Sequence, residues 1–170
     1  QVSFHEAGEE YLRSLRFNAD DPAAQVSLGD FNTARGKYAE AGQAYREALF
    51  LDKNWVPAYV NYADLLRQTN RDEEGETLLR EGLVHRPEAG ALQHGLGVLL
   101  VRKKDLSRAL VFLKRAVELE PNIIRYSYIY AVALHSAGQS DLAQAIISSA
   151  LSKAPNDLSL KALKTHLTGK

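Results

Sequence analysis

The chain has 170 residues, 45% of them apolar and 25% charged, which suits a soluble fold with a sizeable core. Lys and Arg number 21, as do Asp and Glu, so the formal net charge is zero, which argues against generic nucleic-acid binding and against a polybasic membrane anchor. The absence of cysteine excludes disulfides, thiolate zinc sites, iron–sulfur clusters and covalent haem within these residues.

No apolar run reaches the ~18 residues a membrane-spanning helix needs, so no membrane insertion is expected. No signal-peptide pattern is visible. The chain begins at Gln1 and has no Met, which reads as a piece cut from a longer protein, so that any targeting signal would lie outside it.

In chain order, the spacing predicts an opening helix over 3–16, then four helix pairs, then a closing helix over 158–167. The pairs are 22–35 with 38–51, 56–69 with 72–85, 89–102 with 106–119, and 124–137 with 140–153. Pro87, Pro121 and Pro155 each end a stretch of the same kind, 34 residues apart. A fixed period in that range means stacked helical hairpins. The fold class expected is therefore all-α, an α-solenoid of antiparallel hairpins with about ten helices, in one domain over 1–170. Its parts are a half-repeat, repeats over 22–55, 56–89, 90–123 and 124–157, and a capping helix.

Small and bulky residues recur in one frame. Gly29, Ala63, Gly97 and Ala131 are small, as are Ala7, Ala41, Gly75, Ala109 and Ala143, and Ser14, Ala48, Gly82, Ala116 and Ala150. Tyr11, Tyr45, Leu79, Leu113 and Ile147 are bulky, as are Leu28, Tyr62, Leu96 and Tyr130. Small side chains let two helices approach, and bulky ones fill the flanking grooves.

The breaks recur too. Gly36, Asn70, Lys104 and Gly138 share the position of a left-handed helix-ending residue. Asp21 followed by Pro22 reads as a cap and a first-turn proline. Asp72, Asp105 and Ser140 read as caps of the second helices, and Asn122 and Asn156 as caps of the helices that follow the prolines. The outer face of the opening helix has no partner before it, which makes it a candidate for covering by an upstream segment or by a second copy in a homo-oligomer.

Tyr59, Tyr62-Ala63, Leu66, Gly75, Leu79, Gly82 and Pro87 fill one copy of a known pattern, and Leu96-Gly97, Leu100, Ala109, Leu113, Ala116 and Pro121 fill the next. On these residues the chain resembles the tetratricopeptide repeat family over nearly its whole length. The departures are Gln25, Gln93 and Ser127 for the leading aromatic, Asn32 for the Tyr and Lys53 for the first Pro. A narrower resemblance lies in 56–67, 96–102 and 125–138, which look like the repeat regions attached to bacterial multihaem cytochrome c proteins. It implies haems and a signal peptide upstream and a periplasmic location. These residues themselves offer no haem attachment, so no cofactor is expected.

The family resemblance implies that the first helix of each repeat lines a concave groove. It places Val26, Ser27, Asp30 and Thr33 there from repeat one, and Val60, Asn61, Asp64, Arg67 and Gln68 from repeat two. Repeat three gives His94, Val98, Val101 and Arg102, and repeat four Arg125, Tyr128, Ile129, Val132 and His135. The binding-groove candidates are Asn61, Asp64, Arg67, His94, Val98, Arg102, Arg125, Tyr128 and His135, with Tyr128 the expected anchor because tyrosine is enriched in hot spots. The plainer reading of each is an ordinary solvated face.

Two specialised grooves of the family are not matched. The carboxylate-clamp positions read Val26, Asp30, Asn61, Ala91 and Gly95, or Val60, Asp64, Gly95, Arg125 and Ile129. The asparagine-ladder position reads Ser27, Asn61, Gly95 and Ile129. His94 and His135 fall short of the three or four ligands of a zinc site, so no metal is expected. His5, His85 and His166 read as surface residues, and Trp55 as a plug between helices. No phosphate-cradling loop, nucleophile elbow or paired-histidine motif is present, so the chain is not expected to be an enzyme. The expected function is a protein-interaction scaffold that holds a peptide or partner domain. The rival is a structural, self-associating segment of a larger periplasmic redox protein.

Overall fold

The computed structural model describes residues 4–168, with side chains from residue 8 onward apart from residue 16; His5 and Ala7 of the repeat frame fall outside the described side chains. Ten helices and no strand occur among the described residues. They are α1 (Phe4–Phe17), α2 (Pro22–Ala34), α3 (Tyr38–Leu51), α4 (Val56–Gln68), α5 (Asp72–His85), α6 (Gly90–Arg102), α7 (Leu106–Leu119), α8 (Ile124–Ser136), α9 (Ser140–Lys153) and α10 (Leu158–Thr168). The expected all-α, ten-helix architecture is thus present. Packing divides the chain into two compact units, 1–87 and 88–170. Each is taken by itself below.

The turns inside the hairpins share one mechanism. Gly36, Asn70, Lys104 and Gly138 all have positive φ, between 57° and 78°. Immediately after each, a backbone N–H reaches back to the helix just ended: Lys37 to Asn32 O, Arg71 to Leu66 O, Asp105 to Leu100 O and Gln139 to Leu134 O, at 2.8–2.9 Å. That bond satisfies carbonyls a helix end leaves open and sets the direction of the next helix. Lys104 takes this conformation although it has a Cβ.

Caps are less uniform. Asp21 accepts from Ala23 N at 2.9 Å and Asp105 from Arg108 N at 3.2 Å, as the sequence suggests. Asp72 and Ser140 instead open their helices, behind Arg71 and Gln139. Ile123, not Asn122, precedes α8, and Asp157, not Asn156, accepts from Leu160 N at 2.9 Å. The turn after each proline is one residue longer than a cap at the Asn allows.

In the first unit α2 packs on α3 and α4 on α5, with α3 against α4 between the pairs. Its core joins Val26, Ala41, Tyr45, Ala48, Ala58, Tyr62, Leu65 and Leu66, with Trp55 and Leu78 packed on the edge. Trp55 therefore plugs a gap between helices, as expected from its place in the turn.

In the second unit α6 packs on α7, α8 on α9 and α9 on α10. The core there runs through Leu113, Tyr130, Ala131, Leu134, Ala143, Ile147, Leu160 and Leu163. Burying each such Leu or Ile side chain contributes roughly 1.5–3 kcal/mol. The frame explains the close contacts: a Cβ on Gly97 would lie 2.6 Å from Leu113 Cγ, so only glycine fits beneath that leucine.

Candidate functional site

In the first unit the exposed side of α2 and α4 is a polar network. Asp30 Oδ1 accepts from the Tyr45 hydroxyl at 2.7 Å and from Asn61 Nδ2 at 2.9 Å. Thr33 Oγ1 lies 3.3 Å from the same hydroxyl. Burial, together with the hydrogen bond and negative charge of Asp30, drives the Tyr45 phenol well above its ordinary range, although the Thr33 hydroxyl works against this. Arg67 donates to Asp64 at 3.2 Å, one turn apart on α4. Asn61, Asp64 and Arg67 thus stand on one helix, and each of the three is committed to a neighbour. Val26, expected on the open face, is 7% exposed and belongs to the core, because it packs in the cluster with Tyr45 and Tyr62.

The second unit carries the other six candidates. On α8, Arg125, Tyr128, Ile129, Val132 and His135 fall at helical spacing on one side. Arg125 and His135 are exposed, Val132 is 37% exposed, and Tyr128 and Ile129 are half-buried against the core. On α6, which packs on α8, Val98 and Val101 are half-buried against the same core and Arg102 is exposed. No group among the described residues hydrogen-bonds the Tyr128 hydroxyl. His135 Nδ1 lies 2.9 Å from Ser140 Oγ, and its ring meets His166 edge-on at 5.9 Å.

His94 differs from the reading of an open-face imidazole. It is 6% exposed, and its ring stacks on Tyr126 at 4.4 Å between centroids. The first turn of α8 covers it. His94 and His135 therefore do not share an open surface. No group of three or more His, Asp or Glu suited to a metal ion occurs among the described residues.

Within the helices of the second unit, carboxylates fall only on α7 and α9, as Glu118 and Asp141. α6, α8 and α10 contain no Asp or Glu at all, while they carry Arg102, Arg125, Lys161 and Lys164 besides their histidines. The helices that carry the apolar strip of Val98, Val101, Tyr128, Ile129 and Val132 thus bring no carboxylate of their own. This asymmetry was open to view in the sequence, but it becomes visible only when first and second helices are counted apart.

Two tetratricopeptide repeat family patterns match the sequence, one over residues 3–55 and one over 100–167. The chain belongs to the tetratricopeptide repeat family. Among curated proteins it is similar to Protein FlbA of Caulobacter vibrioides, at 29% identity over 102 residues. That match takes in 59% of this chain and only 17% of FlbA.

Among solved structures, the thermophilic tetratricopeptide protein TTC0263 of Thermus thermophilus aligns with a TM-score of 0.80 at 20% identity, over 98% of this chain and 91% of that one. Yeast Tom70 aligns with a TM-score of 0.83 at 21% identity, over 99% of this chain and 36% of that one. YrrB, a tetratricopeptide protein with an unusual peptide-binding site, aligns with a TM-score of 0.68 at 21% identity, over 95% and 84%. At these identities the likeness is one of fold. As a tetratricopeptide repeat chain it has no helix, among the described residues, long and apolar enough to cross a membrane.

Proposed function

We propose that this tetratricopeptide repeat chain is a protein-interaction scaffold, and that the α6–α8 side of its second unit holds an acidic peptide segment. The observation that carries the reading is the apolar strip on helices that lack any carboxylate. An apolar side chain of the peptide would rest on Val98, Tyr128 and Ile129, and its carboxylates would meet Arg125 and Arg102. The Tyr128 hydroxyl would donate to the peptide backbone. Burial of a few anchors supplies most of the energy in such contacts, and charge complementarity supplies selection. A fold shared with YrrB, which has a peptide-binding site, supports the reading. The test is fluorescence anisotropy with labelled peptides of matched length, one set acidic and one basic. Acidic peptides should bind more tightly, and Tyr128→Ala with Arg125→Ala should weaken them. Equal binding of both sets would refute the reading.

A second reading rests on α1. The outer face of α1 exposes Phe17 (88%), while Leu12 and Leu15 are buried and the Tyr11 ring packs on Phe31 of α2 with centroids 5.6 Å apart. That outer face suits a second copy of the chain, in keeping with a self-associating segment of a larger assembly. Light scattering tests it: a monomer at high concentration that is unchanged by Phe17→Ser contradicts self-association.

A further inference from the structure

Between α3 and α4 of the first unit lies a cleft of about 360 Å³ lined by Gly42, Arg46, Tyr62, Leu65, Thr69 and Arg71, among others. The cationic groups in it differ in how far they are committed. Glu74 holds the Arg71 guanidinium with two bonds of 2.6 and 2.7 Å, so that charge is neutralised. The Thr69 hydroxyl donates to the carbonyls of Leu65 and Leu66. Arg46 donates one N–H to the Tyr62 hydroxyl at 2.7 Å, with its guanidinium carbon 5.9 Å from the centre of that ring. No carboxylate among the described residues pairs with Arg46.

The repeat frame shows what is missing. One period of 34 residues later, Gly42 and Arg46 correspond to Glu76 and Arg80. There the Glu76 carboxylate, 9% exposed, accepts from Arg80 Nε at 3.1 Å and Nη2 at 2.8 Å. The next two occupants of the Gly42 position are Leu110 and Gln144, which also have long side chains. In α3 that position is bare. A Cβ on Gly42 would meet Tyr62 and Arg46 at 3.5 Å, an ordinary contact, so close packing does not demand glycine. What glycine does here is leave the space open beside an arginine that lacks its acid.

We propose that the Gly42 hollow and Arg46 form a binding cleft for a carboxylate on a short apolar stem. The carboxylate takes the place towards Arg46 that Glu76 takes towards Arg80, in charge-assisted hydrogen bonds. The stem lies on Leu65 and the Tyr62 ring. The cleft belongs to different helices from the α6–α8 strip, and it stands or falls independently of the peptide reading. Two sources carry this chemistry: a free small carboxylate, or an Asp or Glu side chain of a protein partner.

The test is an NMR titration of the whole 15N-labelled chain with phenylacetate, with phenylacetamide as the uncharged control, and with a blocked Ala-Glu-Ala tripeptide. Saturable shifts are expected at the Gly42 amide and at the Arg46 Nε–H. Affinity should fall about tenfold or more in Arg46→Gln, the loss of a charge-assisted contact. Gly42→Glu should abolish binding by supplying the acid from within, with a thermal melt equal to or above that of the parent chain. If that variant does not fold, Arg46→Gln alone decides. Binding of phenylacetate supports a free carboxylate as the ligand, and binding of the tripeptide alone supports a partner side chain. No saturable shift with either probe, shifts of equal size with phenylacetamide, or an Arg46→Gln protein that binds as the wild type does, would overturn the proposal.

Discussion

Gly29→Ala tests whether the repeat frame is set by contact between small and bulky residues. Gly29 sits inside α2, where replacing glycine by alanine gains about 1 kcal/mol of helix propensity. Here the added Cβ would lie 2.6 Å from Tyr45 Cδ1 and 2.7 Å from Cζ, more than half an ångström inside ordinary contact. The ring has no room to yield. Tyr45 is 2% exposed, and its hydroxyl is held at 2.7 Å by Asp30. Overpacking costs about 1–3 kcal/mol, and weakening a hydrogen bond to a charged acceptor a further 1.5–3 at most. The net is a loss of about 2 kcal/mol, or roughly 4–8 °C in Tm for a chain of this size. Gly42→Ala is the control, since its nearest contacts are 3.5 Å and it should be neutral or stabilising by up to about 1 kcal/mol. Urea unfolding followed by circular dichroism measures both. A Gly29→Ala protein as stable as Gly42→Ala would refute the packing argument.

The raised Tyr45 phenol predicts alkaline instability. The folded state keeps its proton while the unfolded state loses it near the ordinary tyrosine value, so the stabilisation is intact below about pH 10 and declines as pH rises beyond it. Tyr45→Phe should flatten that decline in denaturant titrations at successive pH values; an equally steep decline would count against it. Asp105→Ala removes the side-chain acceptor at the start of α7 and should cost about 1 kcal/mol, whereas Asp105→Ser should recover most of it in the same unfolding assay. Ala116→Leu, at a fully buried position of α7, should cost about 1–3 kcal/mol by overpacking.

Much of the fold was legible because its determinants repeat. A glycine or asparagine every 34 residues marks the same left-handed turn, and Lys104 adopts it because the surrounding backbone bonds are the same. The pairing of Gly29 with Tyr45 and of Gly97 with Leu113 could likewise be read from a constant offset. Features that depend on a single neighbour were not legible. His94 shares a frame position with Val60 and Tyr128, both half-buried, yet it is covered because residue 126 is a tyrosine that reaches over it. Asp30 looked like a free groove carboxylate; its partners Tyr45 and Asn61 lie 15 and 31 residues away. The Arg46 cleft shows only as a difference between two repeats, Gly42 against Glu76, and a search for what repeats passes over it.

The peptide reading is tested most directly by selecting peptides from a random display library on the immobilised chain and rebinding the winners to Tyr128→Ala. The account predicts winners that pair an apolar residue with Asp or Glu, and a loss of about tenfold or more in affinity when the tyrosine is removed. Winners without acidic residues, or winners that bind the Tyr128→Ala chain as tightly as the parent, would contradict it.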